Sequence, residues 1–497
     1  MSRGLGSPLP FLLAGWGWLL LTSLIGLATF LGIVRGSPLP PGLRLLHVHG
    51  ALIGGLLQLL TGLALTAVAL TGQDAKGPKH RLLFVSMNLA ALGLATFLGI
   101  VRGSPLPPGL RLLHVHGALI GGLLQIMTGL ALTAVALAGH DTKGQKHRLL
   151  FVSMNLSALG LAAGAWLRDS TLTIGAGLLL AALFVPMARH LMLGLRTGSG
   201  WTPLSTFYFG ISLTGLFGTL ALGEFLAGAW FPTWHGILRL GHLHAGLLLF
   251  LTLGVVGAMQ LAMPGLMNRP LRSAVLGQIV LLLLPACAAG LITGFLLSSV
   301  HIQLVAGGGF LVTLALGSVN LLRTWNQAGQ PGSAATDHLM IALCLLLIMT
   351  CIGMAVGINV LWTPPVMPYG TLHLVAYTHT AFLGFFLQAT VAGLSYALPA
   401  LLAAQRVTSH KKRVAYQDTL AQIANRWRAL QVSTLSFGTL GLVLVASLTW
   451  NLPLSSIWIQ AGTWGSLGLL LLHLTMVTMK ITQMVGTMPT GDRAATH

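Results

Sequence analysis

Apolar runs long enough to cross a bilayer recur about fourteen times along this chain. A helix needs roughly 20 such residues to span the hydrocarbon core. From the middle of the chain onward the runs cover residues 171–195, 203–230, 238–264, 273–297, 300–323, 337–361, 369–399, 430–450 and 455–485. With 55% hydrophobic and 7% charged residues, the composition excludes a soluble domain. The expected architecture is therefore an all-α polytopic membrane protein, one transmembrane domain over residues 1–497. The first run, residues 11–34, is long for a signal peptide and lacks a small-residue cleavage site, so it is read as a retained span.

The chain holds 26 Lys and Arg against 7 Asp and Glu. These cations lie between apolar runs, which points to membrane topology and anionic lipid and away from nucleic acid. Alternate connections carry 20 of them on one side and 6 on the other. The positive-inside rule then places both termini in the cytoplasm, as for a protein of the bacterial inner membrane. The longest connection, residues 403–429, becomes a basic cytoplasmic loop with room for a short interfacial helix. Cys287, Cys344 and Cys351 all fall in apolar runs and form no CxxC, so they read as small buried hydrophobes.

Residues 26–92 and 93–159 are near copies with a period of 67 residues, differing at only seven positions. Each copy is a two-span unit, so the duplication leaves the orientation of later spans unchanged. Fourteen spans thus reduce to twelve plus one duplicated helix pair.

Histidines recur at one depth. Leu-Arg-Leu-Leu-His-Val-His-Gly carries His47 and His49, returns with His114 and His116, and returns loosely as Leu-Arg-Leu-Gly-His-Leu-His-Ala with His242 and His244. Tyr377-Thr-His379-Thr keeps the second histidine, and His373 precedes it. All of these spans start from the outer side, and four spans separate each carrier from the next once one repeat copy is set aside. Residues two apart on a helix point about 200° apart, so a His-x-His pair offers ligands to two neighbouring centres. Arg44, Arg111 and Arg239 each stand three residues before the first histidine of a pair, on the same face. A planar guanidinium there suits a haem propionate. Haem b is the expected cofactor. The other lone histidines of the spans, His190, His301, His338 and His473, read as packing or interfacial residues.

Twelve spans with histidines on the second, sixth and tenth resemble subunit I of the haem–copper oxidase superfamily. The motif style is closest to the cbb-type oxidase and nitric oxide reductase branch and to NnrS-like relatives. The resemblance covers most of the chain in layout, on short motifs. It implies low-spin haem ligation by His47 or His49, or by their copies His114 or His116. It implies further haem ligation by His373 and His379, whose spacing of six departs from the family's His-x-His. It also implies a copper ligand at His242 or His244. The metal-ligating set expected on these grounds is His114, His116, His242, His244 and His379. The family's histidine pair on helix seven has no counterpart in residues 273–297, and the His-Ala-His-Glu-Met element typical of NnrS is replaced by His47-Val-His-Gly-Ala.

The function expected is respiratory electron transfer or the handling of nitric oxide or another diatomic gas. Membrane lipid, accessory subunits and a cytochrome c or quinol donor would be the partners. The rival readings are a terminal oxidase or nitric oxide reductase subunit with an altered metal centre, and a permease or metal transporter with a histidine-lined site.

Overall fold

The computed structural model describes residues 169–197, 203–359 and 376–489, with scattered single residues elsewhere. The regular structure of these residues is helical throughout. The two repeat copies, residues 26–92 and 93–159, lie outside the described residues, and with them Arg44, His47, His49, Arg111, His114 and His116. So does His373.

The chain divides into two compact units. One comprises Met1–Trp201 and Phe217–His235, the other Thr202–Leu216 and Gly236–His497. In the first unit, α1 (Ser170–Thr197) begins at Asp169, whose Oδ1 accepts the Leu172 amide at 3.1 Å. Helix α2 (Pro203–Ala227) starts in the second unit and ends in the first. There the Glu224 carboxyl lies against Gly177 of α1, where no side chain intervenes.

One long helical run, in the second unit from Gly236 onward, has three parts: α3 (His235–His244), a π-helical segment (Ala245–Thr252) and α4 (Leu253–Met267). It ends at Asn268, whose left-handed φ of 50° closes the helix. Then follow α5 (Ala274–Leu296), α6 (Val300–Gln327) and α7 (Ala334–Asn359). A second π-helical segment (Thr380–Leu387) leads into α8 (Gln388–Arg406). The loop helix α9 (His410–Asn425) precedes α10 (Arg428–Leu448) and α11 (Ile457–Gly486).

Serines start three of these helices. Ser273, Ser299 and Ser333 accept the amides of Leu276, Ile302 and Thr336, which satisfies donors the helix itself leaves unpaired. The α5–α6 hairpin is close because its contact face is small. A Cβ on Gly294 would stand 2.8 Å from the backbone nitrogen of Gln303, and one on Gly309 2.8 Å from Sγ of Cys287. Such faces let helices approach where lipid supplies no hydrophobic drive. The open end of the hairpin is locked by Asn320, which donates to Ser273 O at 2.9 Å and accepts the Ser273 amide at 3.1 Å.

Eight helical spans among the described residues are long and apolar enough to cross a membrane. Their outer surfaces agree with that solvent: Val305, Leu282, Phe437 and Leu444 are all exposed, while Asn320, Gln388, His338 and Lys480 are buried. This is a membrane protein built of helices. The helix in the long loop does form, but Tyr416, Leu420 and Ala424 are buried, so protein covers much of its apolar side.

Candidate functional site

His242 and His244 sit in the last turn of α3, both half-buried, and Arg239 is exposed one turn earlier. Nδ1 of His244 lies 2.8 Å from the carbonyl oxygen of Leu240. A carbonyl only accepts, so Nδ1 carries the proton and the ring lone pair is on Nε2. The same ring packs on Phe295 of α5, centroids 4.3 Å apart.

The π segment begins at the residue after His244. The second π segment begins at the residue after His379. The two histidines are 135 residues apart, and the same offset carries His242 onto Tyr377. Each π segment spans eight residues. A π-helix is rare, and inside α-helices it is frequent at functional sites. The loosened ladder needs other partners here. Thr252 donates to Leu247 O, five residues back, at 2.8 Å, and Ser212 donates to Phe250 O at 2.6 Å. Gly215 allows this approach, since a Cβ there would stand 2.7 Å from the backbone carbon of Leu249. The second segment packs on α7 and α10 through Gly384, whose Cβ position is 3.1 Å from Leu345 and 3.4 Å from Thr439.

Among the described residues, no three His, Cys, Asp or Glu side chains group so as to hold a metal ion. His242, His244 and His379 therefore take part in no such group of three among the described residues. One imidazole suffices as an axial ligand of haem iron, and the Nδ1-protonated His244 is of the form that ligates. A copper centre of several imidazoles finds no such set there.

A second polar group lies deeper in the same unit, around two histidines whose sequence context reads as packing or interfacial. His338 of α7 and His473 of α11 are both fully buried, with ring centroids 5.7 Å apart in an edge-to-face pair. Nδ1 of His338 meets Oε1 of Gln388, and Nε2 of Gln388 donates to Oγ of Ser436 at 3.1 Å. The Ser436 hydroxyl donates to Val432 O at 2.7 Å. On the other ring edge, Nε2 of Gln431 lies 3.0 Å from Nε2 of His338. Oε1 of Gln431 accepts from Nζ of Lys480, and the Gln431 backbone oxygen accepts from Nδ1 of His473 at 2.9 Å. Lys480 also donates to Ala424 O at 2.9 Å, at the end of loop helix α9. Nε2 of His473 is buried without a hydrogen-bond partner. Four spanning segments meet here, α7, α8, α10 and α11. A buried polar network of this kind is costly in a membrane unless its members satisfy one another. The signal in the sequence was Lys480, seven residues after His473 and so two turns along the same face.

The rim of this group carries an ion pair. Nε of Arg428 stands 3.5 Å from Oδ2 of Asp337, and both groups are partly exposed. Asn425 accepts the Ala334 amide at 2.7 Å, which fastens the end of α9 to the start of α7.

Comparison with protein-family models and with curated proteins found no match to this chain.

Proposed function

We propose that the chain is an integral-membrane b-type haem-binding protein of haem–copper oxidase-like layout, acting in respiratory electron transfer or in handling nitric oxide or another diatomic gas. In this reading fourteen spans comprise a twelve-helix core and one duplicated pair, and both termini face the cytoplasm of a bacterial inner membrane. The observation that carries it is the matched placement of His244 and His379, each the last residue before a π segment. His244 and His379 would hold iron, and Arg239 would serve a propionate. Bound haem supplies one-electron chemistry and an axial position for a gas. The protein's own part is to fix the His244 tautomer through Leu240 and to seat the ring on Phe295.

The test is a reduced-minus-oxidised visible spectrum of the purified protein with metal analysis. Haem bands that are lost or converted in His244→Ala and in His379→Ala support the reading. A spectrum without haem bands overturns it in favour of a histidine-lined transporter. Haem bands unchanged in both variants overturn the ligand assignment.

A further inference from the structure

With Lys480 as an ammonium, the hydrogen bonds of the buried group have one self-consistent direction. An ammonium donates and never accepts, so Lys480 takes the oxygen of the Gln431 side chain. The Gln431 NH2 is then turned to His338, and Nε2 of His338 must present a lone pair. The proton of a neutral His338 is consequently on Nδ1, where Oε1 of Gln388 accepts it. This in turn leaves the Gln388 NH2 for Ser436, whose hydroxyl donates to Val432 O. Every donor points the same way, from Lys480 to Val432.

One other arrangement satisfies the same atoms. If the Gln431 amide turns over, its oxygen faces His338 and its NH2 faces Lys480. His338 then needs a proton on Nε2, and Lys480 needs a lone pair. Nδ1 of His338, Gln388 and Ser436 keep their bonds unchanged. The remaining Lys480 N–H groups still serve Ala424 O.

We propose that Lys480 and His338 form a site for a single exchangeable proton, with the orientation of the Gln431 amide deciding which of the two holds it. In the exchange one N–H bond of the Lys480 ammonium breaks and one forms at Nε2 of His338, so the buried charge stays at one. The ligand is a proton drawn from the side where α9 lies, since Lys480 touches the end of that loop helix. His473 belongs to the site as an acceptor held in place: its Nδ1–H is committed to the Gln431 backbone, and its buried Nε2 has no donor. The charged and titratable groups around the site are Asp337 and His338 on α7, Arg428 at the start of α10, and His473 and Lys480 on α11. Segment α8 brings Gln388 to it.

The site is tested on histidine-labelled full-length protein in lipid nanodiscs by 15N NMR, with the His338 signals assigned by their loss in His338→Gln. In the wild-type protein at neutral pH, Nδ1 of His338 should be protonated and Nε2 bare. Gln431→Glu replaces an amide that has one donor and one acceptor by a carboxylate that accepts from both sides. Lys480 and His338 can then be charged together, so Nε2 of His338 should become protonated at neutral pH. Lys480→Met should raise the pH at which Nε2 of His338 takes up a proton by about one unit or more, a tenfold change in affinity. The proposal is overturned if Nε2 of His338 stays bare in Gln431→Glu, a nearly isosteric change that tests the site even where Lys480→Met does not fold. It is overturned equally if Lys480→Met leaves the His338 titration where it was.

Discussion

Arg406 donates to the carbonyl oxygens of Val485 and Thr487, at 2.7 and 2.6 Å, and so closes the last turn of the final span with a guanidinium from the end of α8. Tyr416 of the loop helix joins at the same oxygen, donating to Thr487 O at 2.7 Å. A cation at a helix C-terminus satisfies carbonyls the helix leaves open and meets the negative end of its dipole. One side chain thus fastens three elements.

Arg406→Met should therefore destabilise the purified protein by about 2 kcal/mol, the scale of lost hydrogen bonds to a charged group. Thermal unfolding in detergent measures this. Limited proteolysis should also cut faster beyond residue 484 in the variant. Unchanged stability and cleavage would show that the contact contributes nothing.

Gly294→Ala places a methyl 2.8 Å from the backbone nitrogen of Gln303, and backbone cannot step aside as a flexible side-chain tip can. The α5–α6 hairpin must open. The expected cost is about 1–3 kcal/mol, typical of overpacking. Gly308→Ala, with no atom within 4 Å of its Cβ position, is the control and should leave the melting temperature unchanged.

Asn320→Leu removes two reciprocal bonds with Ser273 and leaves both its amide and its carbonyl unpaired by side chain. The expected loss is about 1–2 kcal/mol, within the range measured for hydrogen bonds between spans. Asn320→Asp keeps the acceptor but sets a buried carboxylate oxygen against the Ser273 carbonyl, so it should lose at least as much. Unchanged stability in Asn320→Leu would show that the two bonds contribute nothing.

Much of this architecture was legible beforehand, and the reason is solvent. In a bilayer each span must be apolar for about 20 residues, so the run 273–297 announces Ala274–Leu296, and 455–485 announces Ile457–Gly486. The run 369–399 stopped seven residues short of Arg406, because Gln405 and Arg406 read as loop while the structure continues the helix to reach the end of α11. The match between His242-Leu-His244 and Tyr377-Thr-His379 was also legible, as a spacing. Its π geometry was not, since Ala-Gly-Leu-Leu-Leu-Phe-Leu-Thr carries no composition that separates π from α. The group around His338 escaped because its members lie on four separate segments, up to 142 residues apart in sequence between His338 and Lys480. Single polar residues on separate spans have no motif.

Topology offers an independent check on the orientation. The distribution of 20 and 6 basic residues predicts that reporter fusions after Gly198 and after Gly332 read as cytoplasmic, and one after Arg168 as external. The opposite pattern would invert the depth assigned to every histidine pair.

The repeat makes its own prediction. In the proposed layout only one copy can occupy the second position of a twelve-helix core, so changing His47 and His49 to Ala should not cost the same haem as changing His114 and His116. Continuity with the later spans favours the greater loss from His114 and His116. Equal loss would mean that each copy serves a cofactor of its own.

The π segments after His244 and His379 also bear on how these spans tolerate change in length. A π turn is what a continuous helix becomes when it absorbs one more residue than its ladder was built for. Removing a single residue from 245–252 should let the ladder close as an ordinary α-helix. The eight residues of the segment wind through about the angle that seven would in an α-helix, so side chains beyond it should keep their aim relative to His242 and His244. The segment therefore holds one residue of spare length without turning the buried face of α4 away from the histidines of α3.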